Sequence, residues 1–199
     1  MSLACVLSTN NQDKAAEIRA IFAEHGGIEL LERPAEVPEV DETGETLLDN
    51  ARLKARALCE ATGQAAIADD TGLEVDALGG APGVYSARYA GEAVTYADNV
   101  SRLLRELDGR TDRRARFITV ALLAFPDGRE VFASGEVLGE ISLAPRGEGG
   151  FGYDPVFVPD EGGGRSFAEM SAADKHAISH RGRAFRALAD TLDQLGLLG

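Results

Sequence analysis

An α/β fold with strands and helices interleaved along the chain is predicted by three observations. Short apolar runs of strand length alternate with amphipathic helical patterns, no internal repeat or linker interrupts them, and 199 residues with 44% hydrophobic and 27% charged composition supply the core of one domain of ordinary size. Cys5 to Ser8 is a β run, followed by polar Thr9 to Gln12 and a helical pattern with Ile18, Ile21 and Phe22 on one face, closed by Gly26-Gly27. Ile28 to Leu31 reads as a second strand. Thr46 with Asp49 caps a helix carrying Leu47, Ala51, Lys54 and Leu58 on one stripe and ending at Gly63. Ala65 to Ala68 is a short strand running into Asp69-Asp70-Thr71-Gly72, and Leu73 to Val75 is a further extended segment. Gly79 to Gly91 is an ordered binding loop or a flap, and Thr95 with Asp98 opens the helix that bears Val100, Leu103, Leu104 and Leu107. Ala115 to Phe125 turns at Pro126-Asp127-Gly128 into Glu130 to Ala133 as a hairpin, and Gly135 to Ile141 is another strand. Ser166, Ser171 and Ser179 are candidate N-caps ahead of a last helix with Phe185, Leu188, Leu192 and Leu195, stopping at Gly196.

The charge balance excludes some partners. Twenty basic residues stand against 33 acids, a net of −13, and such a surface repels polyphosphate backbones, so duplex nucleic acid is not an expected partner. A small anionic ligand needs a local cluster of cations or a bound metal. The N-terminus has neither a basic n-region nor a long apolar h-region, and no apolar run is long enough for a membrane span, so a cytoplasmic protein without membrane contact is expected. Cys5 and Cys59 sit in apolar surroundings and read as packing residues. Of the 20 cations only three are lysines, Lys14, Lys54 and Lys175, which raises the question of what those positions need that a guanidinium cannot supply.

Several segments carry candidate chemistry. Asp69-Asp70 follows a buried strand, where ligands bind in α/β sheets; the pair needs a nearby cation, and Mg²⁺ suits one of the two carboxylates, while good turn chemistry is the competing reading. From Glu29 to Asp49 eight acids face one arginine, an acidic surface loop in which Asp41 and Glu42 offer a second ligand, and it leads into Asn50 and Lys54, one helical turn apart. Ser8 to Lys14 offers hydroxyls, amides and a helix N-terminus that favour an anion, without P-loop spacing. Gly147 to Gly152 matches G-x-G-x-x-G but lacks the βαβ context of a dinucleotide fingerprint; it leaves Phe151 or Tyr153 to stack on a base and Asp154 to accept from a base edge. From Arg165 to Arg186 five cations face two acids, with Ser179-His180-Arg181-Gly182 at the start of the last helix, and His176 and His180 stand four apart.

In order, the segments STNNQDK (Ser8 to Lys14), ETGETLLDNARLKA (Glu42 to Ala55), IADDTGLEVDALGGAPGVYSARYAG (Ile67 to Gly91), GGFGYDPVF (Gly149 to Phe157) and AISHRG (Ala177 to Gly182) resemble the inosine triphosphate pyrophosphatase family over nearly the whole chain. The resemblance implies hydrolysis of deaminated purine nucleoside triphosphates (ITP, dITP, XTP) to monophosphate and pyrophosphate, with Mg²⁺ as cofactor, by one pyrophosphatase domain spanning residues 1–199 and forming a homodimer. The fold expected is a mixed elongated central sheet flanked by helices, in two lobes with a substrate cleft between them. Asp70 would be general base and metal ligand, Lys14 would act in catalysis, and Asp41 stands where the family has a second, glutamate ligand, with Glu42 as its alternative. Thr9, Asn10, Asn11, Gln12, Asp13, Lys14, Lys54 and Thr71 would contact substrate. Phe151, Gly152, Tyr153 and Asp154 would hold base and sugar, and Lys175, His180 and Arg181 would complete the base and phosphate contacts. A pyrophosphatase for modified pyrimidine nucleotides and a non-catalytic nucleotide sensor are the alternatives.

Overall fold

The computed structural model describes residues 2–198. Its element order is β1 (Leu3–Leu7), α1 (Gln12–His25), β2 (Ile28–Leu31), α2 (Leu47–Thr62), β3 (Ala66–Val75), β4 (Pro82–Gly83), α3 (Tyr96–Glu106), β5 (Arg114–Ala124), β6 (Glu130–Ile141), β7 (Phe157–Pro159), α4 (Ala172–Ile178) and α5 (His180–Gln194), with four short 3₁₀ turns between. The sheet has seven strands in the order β2-β1-β3-β5-β6-β7, with β4 paired to β3. It is mixed: β1 runs parallel to β2 and β3, whereas β3 with β4 and β6 with β7 are antiparallel.

The chain forms two compact units. One comprises Met1–Asp70, Thr119–Gly135 and His180–Gly199, the other Thr71–Ile118 and Glu136–Ser179. The first has two apolar layers, one on each face of its strands. Cys5, Leu7, Ile67, Ala121 and Leu123 pack against Ile18, Ile21 and Phe22 of α1 and Phe185, Leu188 and Leu192 of α5. The residues that alternate with them, Val6, Ala66, Ala68, Leu122 and Ala124, pack against Ala51, Ala55 and Leu58 of α2. This is the period-two consequence of a strand covered on both sides by helices. The second unit has its own core, in which Leu73, Val75, Leu103, Leu107, Phe117, Phe157 and Phe167 meet. The Phe117 and Phe157 rings make an edge contact at 4.7 Å between centroids.

Capping chemistry sets the helix starts. The Asn11 side chain accepts from the Lys14 amide at α1, Thr46 from the Asp49 amide at α2, and Thr95 forms a reciprocal capping box with Asp98 at α3. Three expected boundaries differ. Asp69-Asp70-Thr71-Gly72 is no turn: β3 is one strand of ten residues with the two aspartates inside it. Glu130 to Ile141 is likewise one twelve-residue strand rather than two. Gly135 within it does not mark a break. It marks close backbone approach, since a Cβ there would collide with the first turn of α5 at the His180 carbonyl and Ala184 amide. Leu195 lies beyond α5 and is exposed, so that helix buries only Phe185, Leu188 and Leu192 of the expected stripe.

Both cysteines are free and buried, and burial pushes the Cys5 thiol up to about 12, the behaviour of an inert packing residue. His176 lies on α4 and His180 opens α5, so the two do not share the helix that a four-residue zinc spacing requires.

Candidate active site

Because successive side chains of a strand point to opposite faces, Asp69 and Asp70 enter different surroundings. Asp70 continues the Ala66, Ala68 face toward α2. There the Lys54 ammonium lies 3.1 Å from its Oδ1 and the Asn50 amide donates to its Oδ2 at 3.1 Å. Lys54 also meets Glu42 Oε1 at 2.6 Å, which brings the acidic loop onto the same cation. Asn50 in turn accepts from the Gly44 amide at 2.8 Å through its Oδ1. Asn50 and Lys54 are four residues apart in α2, so one helical turn presents both.

Asp69 continues the Ile67 face toward α1 and α5. Lys14 Nζ stands 3.6 Å from its Oδ2, and the Arg181 guanidinium reaches the same oxygen at 3.4 Å. Arg181 also pairs with Glu17 at 2.6 Å, and Arg181, Asp69 and Glu17 are all buried. Two adjacent carboxylates thus each have their own cations, which answers the like-charge cost of placing them side by side. Burial, the largest cause, raises the proton affinity of Asp70 above that of an ordinary aspartate; the Lys54 charge acts against it and the Glu42 charge adds to it. For Lys54 burial acts to lower the pKa, but the charges of Asp70, Glu42 and Asp69 outweigh it and hold the ammonium above its usual value. Lys54 therefore stays protonated, and Asp70 takes a proton more readily than an ordinary aspartate does.

The loop ahead of α1 is tied by its own side chains. Thr9 Oγ1 accepts from the Asn11 amide at 3.1 Å, Asn10 donates to Glu39 at 2.6 Å, and a cavity of about 260 Å³ opens beside Thr9, Asn10, Asn11 and Gln12 with Arg19 and Arg33 in its wall. Asp13, in the first turn of α1, is exposed and complements the helix dipole.

The second unit carries another buried pair. Lys175 of α4 meets Asp154 Oδ2 at 2.6 Å, with both side chains about 95% buried. The same oxygen accepts the Phe151 amide at 2.8 Å, and the Lys175 ammonium lies 4.9 Å from the Phe151 ring centroid. Phe151 and Gly152 are half-buried, but Tyr153 is in the core with its hydroxyl donating to the Ser86 carbonyl at 2.9 Å. Of the two expected base-stacking rings, Phe151 is therefore the accessible one. Thr71 is half-buried and opens the second unit, and His180 is buried at the start of α5.

The structure thus brings Lys14 and Arg181 together at Asp69, Lys54 and Asp70 together with Glu42, and Lys175 together with Asp154 and Phe151. Asp41 is exposed, and its backbone carbonyl accepts from the Thr43 amide. Of the residues in these networks, Asn50 and Asp69 lie in segments that the sequence marks for chemistry, whereas Glu17 does not. Glu17 had a legible signal, since it falls inside the apolar stripe of α1 with Ile18 and Ile21, and a carboxylate there needs a buried cation.

The oxygen donors fit a hard divalent cation. Lys54 already holds a positive charge between the Glu42 and Asp70 carboxylates, and Mg²⁺ is ordinarily held by one or two carboxylates together with phosphate oxygens. No group of three or more His, Cys, Asp or Glu side chains is arranged for a metal among the described residues.

Fold and site together define a mixed α/β protein with a buried lysine–carboxylate centre on a central strand. The chain belongs to the Ham1 family, whose model matches residues 5–191. It is 48% identical over 195 residues to the dITP/XTP pyrophosphatase of Streptomyces coelicolor, covering 96% of this chain and 97% of that protein, and 49% identical over 187 residues to the dITP/XTP pyrophosphatase of Thermus thermophilus, covering 93% and 89%. Among solved structures, a HAM1 protein from Coxiella burnetii superposes with a TM-score of 0.88 at 38% identity, covering 96% of this chain and 99% of the other. The Staphylococcus aureus Ham1 protein does so with a TM-score of 0.85 at 40% identity and the same coverage.

Proposed function

We propose that this protein is a nucleoside triphosphate pyrophosphatase that hydrolyses non-standard purine nucleotides, dITP, ITP and XTP, to the monophosphate and pyrophosphate, and so removes deaminated purines from the nucleotide pool. The observation that carries the reading is the Asp70 carboxylate, buried and braced by Lys54 and Asn50, in a chain about half identical to proteins named dITP/XTP pyrophosphatases.

Asp70 takes a proton from a water molecule as its oxygen attacks the α-phosphorus; the α–β anhydride bond breaks and pyrophosphate leaves. Its raised proton affinity suits that task better than an ordinary aspartate's would. Lys14 and Lys54 face the triphosphate charge, with Thr9, Asn10, Asn11, Gln12 and Asp13 forming the loop around it. Asp70 and either Glu42 or Asp41 would hold Mg²⁺; Glu42 is the acid that shares Lys54 with Asp70. When bound, the ion would neutralise phosphate charge as the leaving group departs. Phe151 offers its ring to the base, with Gly152, Tyr153, Asp154 and Lys175 shaping that loop and Thr71, His180 and Arg181 completing the contacts. A 6-oxo purine accepts hydrogen bonds where the adenine amino group would leave donors unpaired, and an unpaired buried donor costs about 1–3 kcal/mol. The protein acts as one domain over residues 1–199, as a cytoplasmic homodimer.

Pyrophosphate release from dITP, ITP, XTP, dATP, dGTP and pyrimidine triphosphates, with and without Mg²⁺, tests the reading. The expected result is a kcat/KM for dITP at least about a hundredfold above that for dATP, abolished by excess chelator and lowered about a thousandfold or more in Asp70→Asn with the fold retained. Bound dITP recovered intact would make the protein a sensor, and preference for a pyrimidine triphosphate would overturn the purine assignment.

A further inference from the structure

Asn50 is wholly buried, with 0% of its surface exposed, and carries no charge, yet both ends of its amide are engaged. The nitrogen donates to Asp70 Oδ2 at 3.1 Å and the oxygen accepts the Gly44 amide at 2.8 Å. One turn later on α2, Lys54 repeats the pattern, meeting the other Asp70 oxygen at 3.1 Å and Glu42 at 2.6 Å. Each oxygen of the carboxylate is thus tied, through one α2 side chain, to the loop that bears Asp41 and Glu42. Gly44 is fitted to this arrangement, because a Cβ there would stand 2.7 Å from Asn50 Oδ1 and 2.9 Å from the Asn50 backbone nitrogen, closer than real contacts allow.

We propose that Asn50 is a positioning residue whose two-ended amide holds the Asp70 carboxylate and the acidic loop in one register, fixing the orientation in which Asp70 meets the attacking water. A carboxylate held at one oxygen only turns about its last bond, and catalytic groups need to stay within a few tenths of an ångström of their working geometry. Lys54, on a flexible four-carbon stem, places charge but defines direction poorly, whereas a planar, buried amide defines both its donor and its acceptor direction. This inference rests on the pyrophosphatase reading for its catalytic half and on the geometry alone for its structural half.

Two substitutions separate the halves. Asn50→Asp keeps an acceptor for the Gly44 amide but removes the donor to Asp70; Asn50→Ala removes both. Steady-state kinetics on dITP and hydrogen-exchange protection of the Gly44 amide are measured for each. Asn50→Asp is expected to keep Gly44 protected and KM within about threefold of wild type while kcat falls about a hundredfold or more. Asn50→Ala is expected to lose Gly44 protection as well as at least about thirtyfold in kcat. A kcat within threefold of wild type in either folded variant, or Gly44 protection unchanged in Asn50→Ala, overturns the proposal. Loss of both kcat and protection in folded Asn50→Asp also overturns it, because Asn50 would then be merely structural. If Asn50→Asp does not fold, Asn50→Ala, which adds no charge beside Asp70, decides by the same two measurements. Failure of the wild-type protein to hydrolyse dITP would instead remove the pyrophosphatase reading, while the Gly44 amide still reports on the clamp.

Discussion

All three lysines stand in ion pairs with acids of the motif segments: Lys14 with Asp69, Lys54 with Asp70 and Glu42, and Lys175 with Asp154. Several arginines instead pair with exposed acids at the surface, as Arg114 does with Asp160 and Arg129 with Asp127, whereas Arg181 is buried. An ammonium is a compact point charge with three rotatable donors, which lets one nitrogen serve two carboxylates as Lys54 does. A planar guanidinium is wider and has a fixed donor geometry. Lys14→Arg is therefore expected to preserve the fold, because α1 and its Asn11 cap are unaffected, yet to lower kcat/KM for dITP about tenfold or more. Wild-type kinetics in that variant would contradict the assignment of Lys14 to the reaction.

At the scale of elements, the strand period decides the site. The sequence marks Asp69-Asp70 as a charged pair after an apolar run, and strand geometry then sends one carboxylate to α2 and the other to α1 and α5. The helix caps, the Gly63 stop of α2 and the hairpin at Pro126-Asp127-Gly128 were legible because each depends on local chemistry within a few residues. The continuity of β3 and β6 was not. Asp-Asp-Thr-Gly reads locally as a turn, yet these residues lie inside a ten-residue strand that has β1, β5 and β4 as its neighbours in the sheet. Partnerships such as Arg181 with Glu17, 164 residues apart in sequence, were also invisible, since no local pattern records them. The loop from Phe151 to Asp154 depends on one such long-range pair, Lys175 with Asp154. Lys175→Met would leave Asp154 charged, buried and without its ammonium. The expected loss is about 3–5 kcal/mol in denaturant melts, together with a raised KM for dITP. An unchanged melt would show that Lys175 does not hold this loop.

At the scale of the molecule, the net charge of −13 conceals an uneven distribution. The acidic segment from Glu29 to Asp49 reaches the Asp70–Lys54 cluster through Glu42 and Gly44, whereas Lys175 and Arg181 of the basic stretch from Arg165 to Arg186 are each buried against an acid. Placing the cations in pairs keeps them ordered before an anion arrives, so binding pays little to organise them. That arrangement is the basis for reading an acidic protein as one that takes a polyanionic nucleotide. In the reaction proposed above, water attacks the α-phosphorus of a non-standard purine triphosphate with Asp70 as the proton acceptor. Hydrolysis of dITP in ¹⁸O-labelled water tests it most directly. The expected outcome is one ¹⁸O atom in each deoxyinosine monophosphate and none in the pyrophosphate released with it. Label in pyrophosphate, or orthophosphate as the first product, would place the attack on another phosphorus and contradict it.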